Sequence, residues 1–153
     1  MASQRISVTA WPTAAPDVVY HLLCSGAIWP AWSPIGSCEL ERPGSNGGES
    51  IGAVRLLRTG LVRSHEEIVA LDQDRLFGYA LLHGMPLRDY RAAIELGEDR
   101  GGTTVRWPSS FSAAIPGTGW FYRWFLHRFI KRCADGLAVF AASPSAADPP
   151  ERS

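Results

Sequence analysis

From Arg5 to Trp11, the apolar residues Ile6, Val8 and Ala10 alternate with Ser7 and Thr9, the period of a strand buried on one face. Pro12 ends it. Thr13 is placed to cap a helix that holds Pro16 and Asp17 in its first turn and Val18, Val19, Leu22 and Leu23 on its apolar face. Ser25-Gly26 stops this helix, and Trp29-Pro30-Ala31-Trp32-Ser33-Pro34 has room for one further turn only. The runs Ser37–Arg42, Ile51–Arg58, Val62–Asp72, Leu76–His83, Asp89–Leu96 and Thr103–Phe111 then read as an antiparallel meander. Between them lie Gly44-Ser45-Asn46-Gly47-Gly48, Thr59-Gly60, Gln73-Asp74, Gly84-Met85-Pro86 and Gly101-Gly102, all turn chemistry. Tyr90, Ala92, Ile94 and Leu96 share one face of their strand, while Asp89, Arg91 and Glu95 share the other. Such a sheet is wet on one side and covered on the other.

The cover comes last. Pro116-Gly117-Thr118-Gly119 leads into a helix running to about Ala141. Tyr122, Phe125, Leu126, Phe129, Cys133, Leu137 and Phe140 fall on one stripe of it, with Arg123, His127, Lys131 and Asp135 opposite. A long amphipathic helix laid across a curved antiparallel sheet buries both apolar faces, so the expected class is α+β. The length suits one domain, residues 1–141, followed by an Ala/Ser/Pro-rich tail, residues 142–153, read as disordered.

Charge narrows the partners. Fifteen Lys and Arg balance 15 Asp and Glu, whereas binding nucleic acid as the main partner wants a basic excess. The first residues lack the basic head and apolar run of a signal peptide, and no stretch reaches the roughly 18 apolar residues of a membrane span. Cys24, Cys38 and Cys133 are distant from one another and read as reduced thiols in a cytoplasmic protein. There is no GxSxG, P-loop, GxGxxG before a helix or HExxH, and the four histidines share no ligand spacing with the cysteines. The glycine run Gly44–Gly48 joins two strands and opens no helix, so it is a turn. No cofactor and no metal are therefore expected.

Several motifs sharpen the reading: Gly84-Met85-Pro86-Leu87-Arg88-Asp89-Tyr90-Arg91, Gly101-Gly102-Thr103-Thr104-Val105-Arg106-Trp107, Trp29-Pro30-Ala31-Trp32-Ser33-Pro34, Gly52-Ala53-Val54-Arg55 and Pro116-Gly117-Thr118-Gly119. With this order of elements, the chain resembles the START/SRPBCC superfamily, in its polyketide cyclase/dehydrase and lipid-transport branch, over about residues 5 to 141. The resemblance implies a helix-grip (START-like) fold: about seven antiparallel strands curved around a long C-terminal helix, with two short helices after the first strand. It also implies a cavity between sheet and helix. Relatives bind lipids, sterols, plant hormones or polyketides, and some cyclise or dehydrate a polyketide, so the fold does not name the chemistry.

Chemistry-bearing residues fall into four groups. With Thr59-Gly60 as a hairpin tip, Arg55 lies opposite Ser64 with Glu66 as diagonal neighbour, on the face that carries Ile68. A cation and a carboxylate there would pair with each other, as a ligand anchor, an acid/base pair or a register-setting ion pair. Tyr90 is on the inward phase. Tyr79 and His83 share a face, but Leu76, Gly78, Ala80 and Leu82 compete for the interior; facing inward, His83 would join Glu66 as an acid/base candidate. Trp107, in phase with Val105 and Ser109, is a cavity wall or plain core, and the resemblance puts Trp32 at the cavity mouth in either role. Tyr122, Phe125 and Phe129 complete the expected ligand contacts.

Trp120 and Trp124 stand apart, on the polar side of the last helix among Arg123, His127 and Lys131. They suit a homodimer interface, or a membrane-surface contact helped by Arg128, Lys131 and Arg132, unless the preceding loop or the tail covers them. Three functions follow from these residues: binding of a small hydrophobic or amphipathic ligand, a polyketide aromatase/cyclase or dehydratase, and an interaction module using the aromatic helix face.

Overall fold

The computed structural model describes residues 3–143. The strands are β1 (Gln4–Ala10), β2 (Ser37–Arg42), β3 (Val54–Thr59), β4 (Val62–Asp72), β5 (Leu76–His83), β6 (Leu87–Asp99) and β7 (Gly102–Ala113). The helices are α1 (Pro16–Cys24) and α2 (Trp29–Trp32), both between β1 and β2, and α3 (Gly119–Ala141) at the end. All the strands join one antiparallel sheet in the order β1-β7-β6-β5-β4-β3-β2. It is the expected α+β helix-grip architecture.

Boundaries differ where turns take over. Helix α1 begins at Pro16 behind Ala15, with no side-chain cap, so Thr13 does not cap it. Thr103 ties down that entry segment, its amide donating to Pro12 O and its hydroxyl to Ala14 O. Strand β3 starts at Val54, three residues later than expected, because Ile51-Gly52 turns the chain, with Gly52 at φ 91°. Residues 144–153, and with them most of the segment read as a disordered tail, lie outside the described residues.

Helix α3 buries Leu126, Ile130, Cys133, Ala134, Leu137 and Ala141. Relative to the expected stripe, Ile130 and Ala134 enter while Phe125 is left exposed and Tyr122, Phe129 and Phe140 are only partly buried. Close approach explains the rotation. The backbone of Trp32 in α2 presses on α3 at Gly136, where an added Cβ would collide with the Trp32 carbonyl oxygen. Small residues let the C-terminal half of α3 close the core, and the bulky aromatic residues fall to its N-terminal half. There they border a cavity.

Candidate functional site

The cavity has about 110 Å³ of room, several times the roughly 10–15 Å³ that one water needs. The sheet contributes Leu57, Ser64, Glu66, Tyr79, Tyr90 and Trp107; α3 contributes Phe125, Leu126, Phe129, Ile130 and Cys133. Trp29 and Ile35 wall one side. Thr59, Val62 and Met85 also line it, and exposed Val62 and Phe125 mark its mouth. These walls are mostly apolar, with few polar atoms.

Those polar atoms are specifically placed. The Trp107 indole N–H donates to Tyr79 Oη at 3.3 Å, and Tyr90 Oη lies 3.3 Å from Tyr79 Oη. Burial pushes both phenols well above their ordinary range, so they stay neutral. The Glu66 side chain reaches the same space, and its carboxyl makes no hydrogen bond to another described residue. Burial raises its carboxyl from 4.5 to about 7, against the opposing pull of Arg55. It is therefore a carboxyl near its titration midpoint at neutral pH, with its hydrogen-bonding capacity unused.

Arg55 is elsewhere engaged. Thr59 pairs with Val62, so the hairpin tip is Gly60-Leu61 and Arg55 lies directly opposite Glu66, not opposite Ser64. Gly60, at φ 58°, supplies the left-handed residue of this two-residue turn. The guanidinium nevertheless bonds Glu49 and not Glu66: Nε meets Glu49 Oε1 at 2.8 Å, and Nη2 meets Leu23 O at 2.9 Å. It also sits 5.4 Å from the Trp29 ring and 5.0 Å from the Phe77 ring. Glu49 in turn accepts from the Gly26 amide. With Arg55 only 3% exposed, this is a buried clamp joining β3, the end of α1 and the loop before β3. It stands behind the cavity wall, and Glu66 is left as the ionisable side chain of Asp, Glu, Lys, Arg or His type that lines the space.

The other expected contacts separate. Tyr79, Tyr90, Trp107, Phe125 and Phe129 line the cavity; Trp32 and Tyr122 do not. Trp32 packs on Trp29, ring centroids 4.6 Å apart, and Trp29 takes the wall position. His83 is outside. Pairing steps from Glu66↔Leu81 to His65↔His83, so Leu82 is an extra residue that reverses the strand's phase. His83 then stacks on His65 at 4.0 Å on the outer face, too far round for acid/base work in the cavity.

Trp29, Ile35, Leu57, Ser64, Met85, Ile130 and Cys133 are lining residues that were not among the expected contacts. Ile130 follows from Leu126 by helical spacing, and Ser64 and Leu57 follow once the hairpin tip is placed. Nothing in the sequence alone singles out Trp29 over Trp32.

A family model described as polyketide cyclase/dehydrase and lipid transport matches residues 3–142. No curated protein matches the chain by sequence. Among solved structures, a START superfamily protein from Mycobacterium smegmatis superposes with a TM-score of 0.77 and 12% identity over 90% of this chain and 96% of that one. The protein XoxI from Bacillus cereus gives 0.74 and 18% identity over 95% and 99%. Ginseng major latex-like protein 151 from Panax ginseng gives 0.73 and 13% identity over 92% and 99%. At these identities the likeness is one of fold.

Proposed function

The chain belongs to the polyketide cyclase/dehydrase and lipid transport family, and on that footing we propose that it binds a small hydrophobic or amphipathic molecule, lipid-like or polyketide-like, between the sheet and α3. The ligand's hydrogen-bond donor turns toward Glu66. The observation that carries this reading is the unpartnered Glu66 carboxyl among aromatic walls. A well-formed apolar pocket with a few convergent polar groups is what a ligand site needs. Burying an aromatic ring, about 150 Å² or more, at about 25 cal/mol per Å² favours binding by roughly 4 kcal/mol before the cost of association. The cavity fits the ring, and a longer ligand would leave through the mouth between Val62 and Phe125.

Calorimetric titration with 2-phenylethylamine and with neutral 2-phenylethanol tests the polar contact. As pH rises from about 6 to about 8, Glu66 ionises and the ammonium should bind about tenfold more tightly, while the alcohol gains nothing. Glu66→Gln should abolish the rise. An amine affinity that ignores pH, or the same slope in Glu66→Gln, overturns the donor contact; no binding of either probe overturns the cavity reading.

The same carboxyl favours one second reading, a cyclase or dehydratase acting on a polyketide-like chain. A group titrating near neutrality inside an aromatic cavity is suited to move a proton. Under that reading Glu66→Gln keeps ligand affinity at low pH and loses turnover.

A further inference from the structure

The cavity mouth is flanked by two apolar projections. On one side, the β3–β4 hairpin presents Leu61 fully exposed at its tip, next to the lining residue Val62. On the other, the first turns of α3 expose Trp120 (71%), Phe121, Trp124 (56%) and Phe125. Phe121 lies within 6.2–6.4 Å, ring centroid to centroid, of Trp120, Trp124 and Phe125. Phe125 itself lines the cavity. An aromatic surface therefore runs unbroken from the solvent face of α3 into the mouth.

Charge is distributed to match. Arg58 and Arg63 face each other across the hairpin as the second pair behind the tip. From Gly101 to Ala134 the sequence holds no Asp or Glu, while Arg123 lies between Trp120 and Trp124 and Arg128, Lys131 and Arg132 follow them. Lys131 pairs with Asp135; Arg58, Arg63, Arg123, Arg128 and Arg132 have no salt-bridge partner among the described residues. Arg128 lies 5.9 Å from the Trp124 ring. A chain of zero net charge thus carries arginines on the hairpin and along α3, with Arg123 sharing a groove against β1 with the exposed Trp120 and Trp124.

We propose that this rim docks on an anionic phospholipid surface, with Leu61, Trp120 and Trp124 entering the interface and the arginines meeting the headgroups. Tryptophan favours the boundary between water and hydrocarbon, and apolar side chains combined with basic ones are what such a boundary holds. No described helix is long and apolar enough to cross a membrane, so the contact is superficial. A second copy of this chain fits less well, because joining two such faces sets arginine against arginine. The docked pose turns the mouth toward the lipid, and it stands independently of what the cavity holds.

Vesicle co-sedimentation at moderate salt tests this, comparing pure phosphatidylcholine with phosphatidylcholine containing about a third phosphatidylserine. The protein should bind the anionic vesicles at least tenfold more tightly, with a blue shift of tryptophan emission, and release them at high salt. Leu61→Glu and Trp120→Ser, both outside the cavity lining, should each weaken binding about tenfold while leaving the thermal transition and 2-phenylethanol binding unchanged. Equal binding to the two vesicle types, no binding at all, or undiminished binding of both variants overturns the proposal. So does a dimer on gel filtration that Trp120→Ser dissociates.

Discussion

Glu66→Gln is expected to become more stable relative to the unsubstituted protein as pH rises from about 4 to about 8. The native carboxyl titrates near 7 and the unfolded one near 4.5. Between those values the native state holds a proton that the unfolded state has lost, so stability falls as pH rises. The loss begins near pH 4.5 and is complete once pH passes 7. At 1.36 kcal/mol per unit, the shift sets an upper bound of about 3 kcal/mol on this effect. Gln keeps the shape and cannot titrate. Urea denaturation at several pH values should show the protein losing about 2–3 kcal/mol that Glu66→Gln does not lose. Parallel pH curves for the two would mean that Glu66 is solvated and not held in an apolar space.

Arg55→Met should be the more damaging substitution at any one pH. Methionine keeps apolar bulk between Trp29 and Phe77 but takes the guanidinium from Glu49 and the Leu23 carbonyl, leaving Glu49 only the Gly26 amide and Leu23 O only the Trp29 indole N–H. Removing one partner of a buried pair costs about 3–5 kcal/mol; Glu49 is partly solvated, so a loss of about 3 kcal/mol is expected in urea denaturation. Glu66 supplies an independent readout. Arg55 pulls its carboxyl down, so in Arg55→Met the pH-dependent loss of stability should extend above pH 7. A variant as stable as the original, with its pH profile unmoved, would show that the clamp contributes only packing.

Alternation and turn chemistry were enough to read the meander, since from β3 to β7 each strand pairs with the next through a short turn. Alternation likewise put Tyr90 and Trp107 on the inward phase, whereas for Tyr79 the competing Leu76, Gly78, Ala80 and Leu82 left the face open. What escaped is positional. Moving the hairpin tip to Gly60-Leu61 turns a diagonal Arg55–Glu66 relation into a direct one. A single extra residue at Leu82 turns His83 outward. The actual partner of Arg55, Glu49, comes from a glycine-rich stretch that has no periodicity, so its approach is not encoded in any pattern. On α3, hydropathy ranks phenylalanine above alanine, whereas the α2 contact at Gly136 favours small residues and rotates the buried face.

An apolar ligand should enter between the sheet and α3, where bound indole would give nuclear Overhauser contacts. Saturable binding is expected, with contacts from indole to the rings of Trp29, Tyr79 and Trp107 and to the Met85 methyl group. Contacts confined to Trp120 and Trp124, or no saturable binding, would contradict it.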